Sequence, residues 1–471
     1  MAHVCAGRVI LHPCFLQGFG RPQPRARVKE ARPLFLLSLM VQHREKSMER
    51  CISRQIAEYV YEVKSGKKVI VYAPILQIAR LIDPYSEGYG GDISIAELSE
   101  KSRQLIEKNV VCVLRPIESP LDMDKMVVLP NYKCNLSCSY CYAAMGRSNE
   151  EIDVGKLDSA IDWFLAKDRI PEKDLQIFIV GGGEPMMSWG VVTEIIKKVV
   201  EARRFQKRRI SLVMTTNGSL ITEERARFLA DSDIMVNVSF EIIQEVQNRQ
   251  RGMCNDVERG IKELQRAGAK FAIRATVSPL SVDRMSEMVD IVLHKFPHVR
   301  RLHLEAMLAG EEVFKSSDSL REFLKRYRNG FSEASARGGS NGLKVMSSAA
   351  SLNMATLKER FCQGDLCLTP RGEFSICRRF SSPNEENFHH TVYGHIGDGG
   401  VKVDEEKYQR ALKFSFDDRD RCRECFLRWH CGGLCLSQQT IFPSDYYDVL
   451  CDFTCEEGFE QLERFAINGD F

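Results

Sequence analysis

The chain has 471 residues, 44% of them hydrophobic, and its 66 basic and 64 acidic residues leave a formal net charge of +2. This balance gives no global field that would attract nucleic acid or an anionic membrane, and the length allows two or three domains. The longest apolar run, LFLLSLMV at 34–41, is shorter than the roughly 18 residues of a membrane-spanning helix. We therefore expect a cytoplasmic protein with neither nucleic acid nor a membrane among its partners.

The first 120 residues divide into two predicted parts. Residues 1–47 show no sustained periodicity and no acidic residue before Glu30, so we expect a disordered extension or a start placed too far upstream, with Met48 as the candidate start. Residues 48–120 predict a small α+β unit, with IAEYVYEV and KKVIVYA as paired strands and SIAELSEKSRQLIEK as a helix capped by Ser94. Its free strand edge could bind a leader peptide; a simple capping subdomain is the alternative.

Between residues 121 and 340, strand-like apolar runs alternate with helical patterns. The strand-like runs are MVVLP, QIFIV, SLVMT, IMVNVSF, FAIRATV and RLHLEAM. The helical patterns are KLDSAIDWFLAK, VVTEIIKKVVEA, EERARFLA, VERGIKELQRAG, MSEMVDIVLHKF and SLREFLKRYRNGFSEA. Six alternations predict a parallel sheet, either open and doubly wound or curled into part of a barrel. Catalytic groups in both folds lie beyond the carboxyl ends of the strands.

Three cysteines follow the first predicted strand, in the stretch NYKCNLSCSYCYAAMG. Cys134, Cys138 and Cys141 have the spacing C-x3-C-x2-C, which leaves one position of a tetrahedral metal site open. A three-ligand zinc site completed by a distant residue is one interpretation. The arrangement C-x3-C-x-aromatic-C, here with Tyr140, after the first strand of a β/α repeat resembles the radical SAM enzymes, and the resemblance extends over residues 125–310.

This resemblance implies a 4Fe–4S cluster held by the three thiolates, with one iron left for S-adenosylmethionine, in a partial (β/α)6 TIM-type barrel. The family's Gly-Gly-Glu-Pro and Thr-Asn-Gly motifs match residues 182–185 and 216–218, and a Ser and an Arg stand twelve residues apart after the fourth strand. Glycines let a backbone approach the cofactor, and a carboxylate accepts hydrogen bonds from its ammonium group. The cofactor-binding residues that the resemblance implies are Gly182, Gly183, Glu184, Asn217, Ser239 and Arg251.

The sequence departs from the family pattern in the loop after the fourth strand. The usual Asp-Gly-Pro is replaced by Glu-Ile-Ile at 241–243, and a common His is Gln247, so the geometry of this loop is expected to differ. Strict alternation along the fifth and sixth strands would direct three polar residues to the mouth of the sheet. These are Arg274, Thr276 and Glu305.

Nine cysteines lie in the C-terminal region at 350–471, where Cys-rich segments replace the β/α pattern. The spacings C-x9-G-x4-C and C-x2-C-x5-C-x3-C resemble the SPASM domain, the auxiliary-cluster extension of radical SAM enzymes that act on peptides and proteins; two zinc sites are the alternative. The resemblance implies two auxiliary 4Fe–4S clusters, the first held by Cys362, Cys367, Cys377 and Cys435 and the second by Cys422, Cys425, Cys431 and Cys451. Cys455 could replace Cys451, and a first cluster without Cys367 would keep an open iron.

As a whole, the resemblance implies a peptide maturase that generates a 5′-deoxyadenosyl radical to cross-link a ribosomally synthesised precursor peptide, with flavodoxin or ferredoxin as electron donor. Arg378 follows Cys377 where sulfatase maturases of this class carry an Asp, which argues against formylglycine formation. The alternatives are a radical SAM dehydrogenase of a small alcohol or sugar, side-chain oxidation of the sulfatase-maturase type and, outside enzymes, a zinc-binding regulatory module. The sequence identifies no catalytic acid or base.

Overall fold

The computed structural model describes residues 51–82, 94–310, 312–349, 352–414 and 420–468. The expectations for residues 1–47, including the apolar run at 34–41, lie outside the described residues. The strands are β1 (Ile52–Ala57), β2 (Val60–Ser65), β3 (Lys68–Ala73), β4 (Ile78–Ile82), β5 (Val113–Leu114), β6 (Lys125–Val128), β7 (Leu175–Ile179), β8 (Ile210–Thr216), β9 (Met235–Ser239), β10 (Lys270–Val277), β11 (Arg301–Ala306), β12 (Lys344–Met346), β13 (Leu357–Lys358), β14 (Leu366–Leu368), β15 (Glu373–Ser375), β16 (Val392–Gly397) and β17 (Gly400–Val403). The α-helices are α1 (Ile95–Glu107), α2 (Val154–Leu165), α3 (Trp189–Phe205), α4 (Glu223–Asp231), α5 (Gln244–Gln250), α6 (Cys254–Arg266), α7 (Met285–Lys295), α8 (Ser317–Ser340), α9 (Phe388–Thr391), α10 (Glu405–Phe414), α11 (Asp420–Arg423), α12 (Arg428–Cys431), α13 (Leu436–Ile441) and α14 (Ser444–Asn468).

The N-terminal unit is an antiparallel meander of four strands, β1 to β4, followed by helix α1. The predicted strand IAEYVYEV is divided between β1 and β2, because Tyr59 adopts a left-handed φ of 60° at the turn between them. The predicted Ser-Gly turn does join β2 to β3, whereas β4 is a strand that the sequence analysis does not predict. Helix α1 begins as predicted, since the Ser94 hydroxyl accepts a hydrogen bond from the Glu97 amide at 3.2 Å.

The core sheet contains seven parallel strands, β6 to β12, whose spatial order is their order in the sequence. The six predicted strands are all present, each followed by its predicted helix, and β12 is an additional strand. A doubly wound sheet would reverse its strand order at a switch point. The observed order therefore excludes that alternative and matches a sheet wound in one direction, as in (β/α) barrels.

The two faces of the core sheet differ, because successive side chains along a strand point to opposite faces. One face packs against helices α2 to α8 through a large apolar core. The opposite face, here called the inner face, carries Val127, Phe178 and Val213 in a smaller apolar cluster on β6 to β8. On β10 and β11 the inner face becomes polar, with Arg274 and Glu305 half-buried on it.

The C-terminal region continues the core sheet. Strand β14 pairs in parallel with β6, which places Cys367 beside Val127, and β15 to β17 extend the sheet with antiparallel pairing to eleven strands. The N-terminal unit packs on this region, since Tyr61 and Tyr72 share an apolar cluster with Phe426. In the part of the chain that the structure describes, no helix is both long and apolar enough to cross a bilayer.

Candidate functional site

The three cysteines of the predicted motif lie in the irregular segment beyond the carboxyl end of β6, at residues 131–146. This segment is here called the cysteine loop. All three are half-buried, and burial raises the pKa of the Cys134 and Cys138 thiols. Backbone hydrogen bonds hold the segment: the Cys141 amide donates to the Cys138 carbonyl at 3.2 Å, and the Ser139 amide donates to the Gln250 carbonyl at 2.9 Å. The second bond joins the cysteine segment to the chain just before Arg251.

The Gly-Gly-Glu-Pro loop contacts the backbone that leads into the cysteine motif. A Cβ atom on Gly183 would lie 1.9 Å from the Lys133 carbonyl oxygen, and one on Gly182 would lie 2.8 Å from the Tyr132 ring. The Glu184 amide donates to the same Lys133 carbonyl at 2.6 Å. Both glycines are predicted to admit the cofactor; within the described chain they contact the backbone and the Tyr132 ring at the start of the cysteine motif, which any side chain would push away.

Glu184 is a buried carboxylate that joins two of the predicted loops. Its carboxylate accepts hydrogen bonds from the Met186 amide at 3.0 Å, the Thr216 hydroxyl at 2.6 Å and the Asn217 amide at 2.7 Å. Burial raises the pKa of Glu184, although these hydrogen bonds and the charge of Arg251 oppose that effect. Two carboxylate oxygens offer about four lone-pair sites, so capacity for a further donor remains.

Asn217 and Ser239, both predicted to contact the cofactor, differ in their surroundings. The Asn217 side chain donates to Asn135 Oδ1 at 2.9 Å and accepts from the Ser219 amide at 3.0 Å, so it orients the cysteine loop through Asn135. Ser239 ends β9 half-buried, and its hydroxyl makes no hydrogen bond within the described residues. Across the sheet Ser239 pairs with Arg274, which aligns the two predicted groups on the inner face.

Arg251 is nine-tenths buried, with its side chain 10% exposed, and lies against the cysteine loop. Its Nη1 donates to the Tyr140 hydroxyl at 2.9 Å and lies 3.6 Å from Glu241 Oε1. Burial alone would lower the pKa of Arg251, but Tyr140 and Glu241 more than offset burial and raise it. The guanidinium therefore remains charged beside Cys138, whose thiol lies within its electrostatic reach.

Arg147 is a site residue that the sequence analysis misses. Its Nη1 donates to the Leu136 carbonyl at 2.7 Å inside the cysteine loop. Burial alone would lower its pKa, but a hydrogen bond with Cys141 and the charges of Cys134 and Cys138 raise it. The signal in the sequence is that Arg147 is the only charged residue between Cys134 and Glu150.

The polar part of the inner face forms a connected set on β10 and β11. Arg274 donates to Glu305 Oε1 at 3.0 Å, and the Ser348 amide donates to Glu305 Oε2 at 2.8 Å. Burial alone would raise the pKa of Glu305, but His303, Arg274 and Ser348 lower it to about 2. Glu305 is therefore an ionised carboxylate held in place, and not a proton donor near neutral pH.

These residues fit an iron–sulfur cluster that carries a zwitterionic cofactor. Three thiols supply soft ligands, and the buried atoms Asn131 Oδ1 and Arg251 Nε have no hydrogen-bond partner within the described residues. Across those same residues, no three His, Cys, Asp or Glu side chains lie close enough together to hold a single metal ion. In an iron–sulfur cubane each thiolate binds a different iron, so the ligands are spaced more widely than around one ion.

Five C-terminal cysteines surround one small cavity between α11, α12 and α14. They are Cys422, Cys425, Cys431, Cys451 and Cys455. The two residues that the sequence analysis treats as alternatives, Cys451 and Cys455, lie one helical turn apart on α14 and both reach this cavity. The Sγ atoms of Cys425 and Cys455 are 3.8 Å apart.

Of the other predicted set of four, Cys367 lies on β14 and Cys377 follows β15, whereas Cys362 and Cys435 lie outside the strands and helices. Burial and the charges of Cys435 and Cys362 raise the pKa of the Cys377 thiol. Cys367 is fully buried on β14, in the apolar cluster of Val127 on the inner face. Burial and the charge of Asp365 raise the pKa of its thiol, Arg378 opposes this effect, and Cys377 adds to it.

Cys51, which belongs to neither group of cysteines in the sequence, lies beside the five-cysteine cavity. It packs with Cys425 and Cys455 against the N-terminal meander, and burial followed by the charge of Cys425 raises the pKa of its thiol to about 12. Sequence spacing gives no signal for this contact, because Cys51 and Cys425 are brought together only by the packing of the first unit on the last.

Arg378, the residue that follows Cys377, is paired with a buried carboxylate. Its Nη2 lies 2.9 Å from Asp365 Oδ2, and Lys125 Nζ lies 2.6 Å from Asp365 Oδ1. Burial alone would raise the pKa of Asp365, but Arg378 and Lys125 hold it well below the usual range. A carboxylate stabilised by two cations is a weak proton acceptor.

Residues 128–292 match the protein family described as the Radical SAM superfamily. The chain is 22% identical over 375 residues to the radical SAM cyclopropyl synthase TigE of Paramaledivibacter caminithermalis, covering 74% of this chain and 73% of TigE. It is 26% identical over 153 residues to a cysteine-type anaerobic sulfatase-maturating enzyme of Clostridium perfringens, covering 31% of this chain and 41% of that enzyme. The second match thus spans less than half of the relative.

Solved structures show the same fold. anSMEcpe with bound AdoMet and the Kp18Cys peptide has a TM-score of 0.55 to this chain at 20% identity, over 73% of this chain and 99% of anSMEcpe. At this level of identity the likeness concerns the arrangement of helices and strands alone.

Proposed function

Because residues 128–292 form a radical SAM domain and the protein is a radical SAM enzyme, we propose that it cross-links a ribosomally synthesised precursor peptide. The observation that carries this proposal is that five C-terminal cysteines line one cavity, in addition to the three cysteines on the cysteine loop. TigE, which matches most of the chain, is named a cyclopropyl synthase, and anSMEcpe has been solved with a bound peptide. The name of TigE is in keeping with bond formation, and the peptide bound to anSMEcpe is in keeping with a peptide substrate.

The cofactor assignments follow from the cysteine loop and its neighbours. Cys134, Cys138 and Cys141 would hold a 4Fe–4S cluster, and S-adenosylmethionine would be seated by Gly182, Gly183, Glu184, Asn217, Ser239 and Arg251. When bound, these groups supply a 5′-deoxyadenosyl radical that abstracts hydrogen from carbon. Arg251 would bind a carboxylate of the cofactor, and the buried loops around Glu184 exclude water from it.

The auxiliary clusters are assigned to the two C-terminal groups. The first would be held by Cys362, Cys367, Cys377 and Cys435 and the second by Cys422, Cys425, Cys431 and Cys451. The alternative is a first cluster that Cys367 does not bind and that keeps an open iron, in keeping with the apolar surroundings of that thiol. Flavodoxin or ferredoxin is the proposed electron donor.

The polar half of the inner face would hold the segment of peptide to be modified. It carries the ionised Arg274–Glu305 pair along β10 and β11, whereas the apolar half along β6 to β8 is buried within the chain. Polar backbone or side chains of the peptide would match this pair. A fixed ion pair can orient such groups without itself exchanging a proton.

Side-chain oxidation of the sulfatase-maturase type is the second candidate, favoured by the match to the sulfatase-maturating enzymes. Against it stands Arg378, which occupies the position of the maturases' candidate base and is paired with Asp365. Asp365 itself is too strongly stabilised by Arg378 and Lys125 to serve as that base. We therefore rank this activity below cross-linking.

Dehydrogenation of a small alcohol or sugar uses the same clusters and is the third candidate. Deleting residues 48–120 would not separate it from peptide modification, because Tyr72 of that unit contacts His430 next to Cys431. The zinc-binding regulatory module is set aside, because the protein is a radical SAM enzyme.

The test compares substrates on one preparation. The full chain is reconstituted anaerobically with iron and sulfide and incubated with dithionite, S-adenosylmethionine and either peptides encoded by short reading frames beside its gene, glycerol or propane-1,2-diol. We expect a peptide to stimulate 5′-deoxyadenosine release and to lose two hydrogens without gaining an aldehyde, while Cys138→Ala releases none. Stimulation by an alcohol and by no peptide would establish the dehydrogenase. A peptide product that reacts with an aldehyde-specific reagent would establish oxidation of the sulfatase-maturase type.

A further inference from the structure

Glu241 is a fully buried carboxylate in the loop directly after β9, where the sequence departs from its relatives. Its Oε2 accepts a hydrogen bond from the Thr276 amide of β10 at 2.8 Å, and its Oε1 accepts one from the Tyr140 hydroxyl. The same Oε1 lies 3.6 Å from Arg251 Nη1. Glu241 thus contacts the cysteine loop, the fifth core strand and Arg251 at once.

A buried carboxylate next to a loop whose cysteines would bind iron as thiolates needs a cation, because uncompensated buried charge is costly. Arg251 supplies this cation, and it uses one end of its guanidinium to do so. Nη1 serves Tyr140 and Glu241, whereas Nε is buried without a hydrogen-bond partner in the described part of the chain. An arginine binds a carboxylate through two parallel N–H groups, and the edge that contains Nε is the one left for such a ligand.

The loop around Glu241 fixes the direction of that edge. The Glu241 amide donates to Gln247 Oε1 at 2.9 Å, and Gln247 Nε2 donates to the Gly252 carbonyl at 2.7 Å, next to Arg251. Gln247, at the position of the common His in the family pattern that the sequence resembles, is fully buried. Both departures from the family pattern therefore belong to one hydrogen-bonded brace, defined here as Tyr140, Glu241, Gln247 and Arg251.

We propose that Glu241 is a positioning residue for S-adenosylmethionine: it holds the Nη1 end of Arg251, together with Tyr140, so that the Nε edge is preset for the cofactor carboxylate. This inference rests on the proposed assignment of Arg251 to the cofactor. A preset guanidinium loses less freedom on binding, so removal of Glu241 acts on the affinity for the cofactor through Arg251. The cofactor carboxylate would then bind the Nε edge of the Arg251 guanidinium, while Glu241 interacts with its Nη1 end.

The test uses the reconstituted full chain and four variants: Glu241→Gln, Arg251→Gln, the double variant, and Glu245→Gln as matched control. Glu245 is an exposed carboxylate of the neighbouring helix α5 that pairs with Arg284. Iron content is measured first, then S-adenosylmethionine binding by equilibrium dialysis, and then the change that the cofactor causes in the electron paramagnetic resonance spectrum of the reduced cluster.

We expect Arg251→Gln and Glu241→Gln each to weaken cofactor binding by about tenfold or more, the effect of losing a charge-assisted contact. The double variant should bind no more weakly than Arg251→Gln, because Glu241 acts through Arg251. The cofactor-induced spectral change should be altered in Glu241→Gln with iron retained, while Glu245→Gln matches the wild type. A purely structural role would lower iron loading without changing the spectrum of the loaded fraction.

Binding by Glu241→Gln within about twofold of wild type, or losses that multiply in the double variant, would overturn the inference while leaving Arg251 in place. If Arg251→Gln itself binds normally, the assignment of Arg251 in the proposed function fails as well. Should Glu241→Gln retain no iron, Tyr140→Phe decides, since it removes only the bridging hydroxyl. It is expected to weaken binding in the same direction, and unchanged binding contradicts the brace.

Discussion

The phenol oxygen of Tyr72 lies 2.6 Å from Nε2 of His430, in a buried contact between residues 358 positions apart. The other ring nitrogen of His430 lies 3.1 Å from the Thr356 carbonyl oxygen, so Nδ1 donates there and Nε2 accepts from Tyr72. Because His430 precedes Cys431, this contact joins the N-terminal meander to the five-cysteine cavity. The meander therefore supports a residue that directly precedes the wall of the proposed second auxiliary site.

Tyr72→Phe is expected to destabilise the protein by about 1–3 kcal/mol, since it leaves a buried acceptor on His430 unsatisfied. It should also accelerate loss of iron from the second auxiliary site to a chelator. Thermal unfolding and chelator-dependent iron release measure the two effects. The control is Tyr327→Phe, which removes an equally buried hydroxyl bound to the Leu304 carbonyl, far along the chain from the cysteines. Equal rates of iron release in both variants contradict a role of the meander at this site.

Arg147→Gln should make the cluster on the cysteine loop harder to reduce. The guanidinium lies against Cys141 and within electrostatic reach of Cys134 and Cys138, so it stabilises the additional negative charge of the reduced state. A redox titration followed by electron paramagnetic resonance should give a more negative potential for the signal that responds to S-adenosylmethionine. Arg147→Lys should restore part of the shift, and the exposed Arg337→Gln should have no effect. A potential unchanged in Arg147→Gln rules out this role.

Ile242 is a β-branched residue with a left-handed φ of 67°, at the position of the glycine in the family pattern that the sequence resembles. Its side chain is buried, so its truncation costs about 2–5 kcal/mol, more than the roughly 1–2 kcal/mol of backbone strain. Both Ile242→Ala and Ile242→Gly should therefore lower the melting temperature. The glycine variant should be the more stable of the two, because only glycine relieves the strain.

Val246 in helix α5 is the control for this comparison, since glycine there should be less stable than alanine, as is usual inside a helix. If Ile242→Gly also proves less stable than Ile242→Ala, the left-handed backbone at this position is not a source of strain.

Cys451 and Cys455 both face the five-cysteine cavity from α14. We expect the single variants Cys451→Ala and Cys455→Ala each to keep the second auxiliary cluster, since the remaining thiol can bind the last iron. The double variant should lose about four irons per chain, the content of one cubane. Iron analysis after reconstitution decides this, with Cys112→Ala as control because Cys112 is exposed and outside the cysteine groups. Loss of four irons in Cys451→Ala alone would fix Cys451 as the sole ligand.

The local parts of the fold were predictable because they depend on nearby residues. The six core strands and their helices follow from apolar periodicity within each segment, and Ser94 caps α1 as its position indicates. The turn at Tyr59 was not predictable, because a tyrosine in the left-handed region gives no turn signal. The continuation of the core sheet by β14 was not predictable either, since it depends on pairing between Cys367 and Val127, which are far apart in the sequence.

The candidate site divides in the same way. Residues in short motifs at the ends of strands, such as Glu184 and Asn217, could be named from their match to the family's motifs. Asn135 and Cys51 could not, because their contacts form only when separate parts of the chain meet, and the only sequence signal for Arg147 was its isolated charge after the cysteine motif. The brace of Glu241 was visible in the sequence only as a departure from the family pattern, and its partners became evident from the folded chain.

The most direct test of the account is iron and acid-labile sulfide per chain after anaerobic reconstitution, on wild type and on a variant with Cys134, Cys138 and Cys141 all changed to Ala. Three cubanes require about twelve irons in the wild type and about eight in the variant. A result of roughly four irons, lost entirely in the variant, would contradict the account, because the C-terminal cysteines would then hold no iron–sulfur clusters.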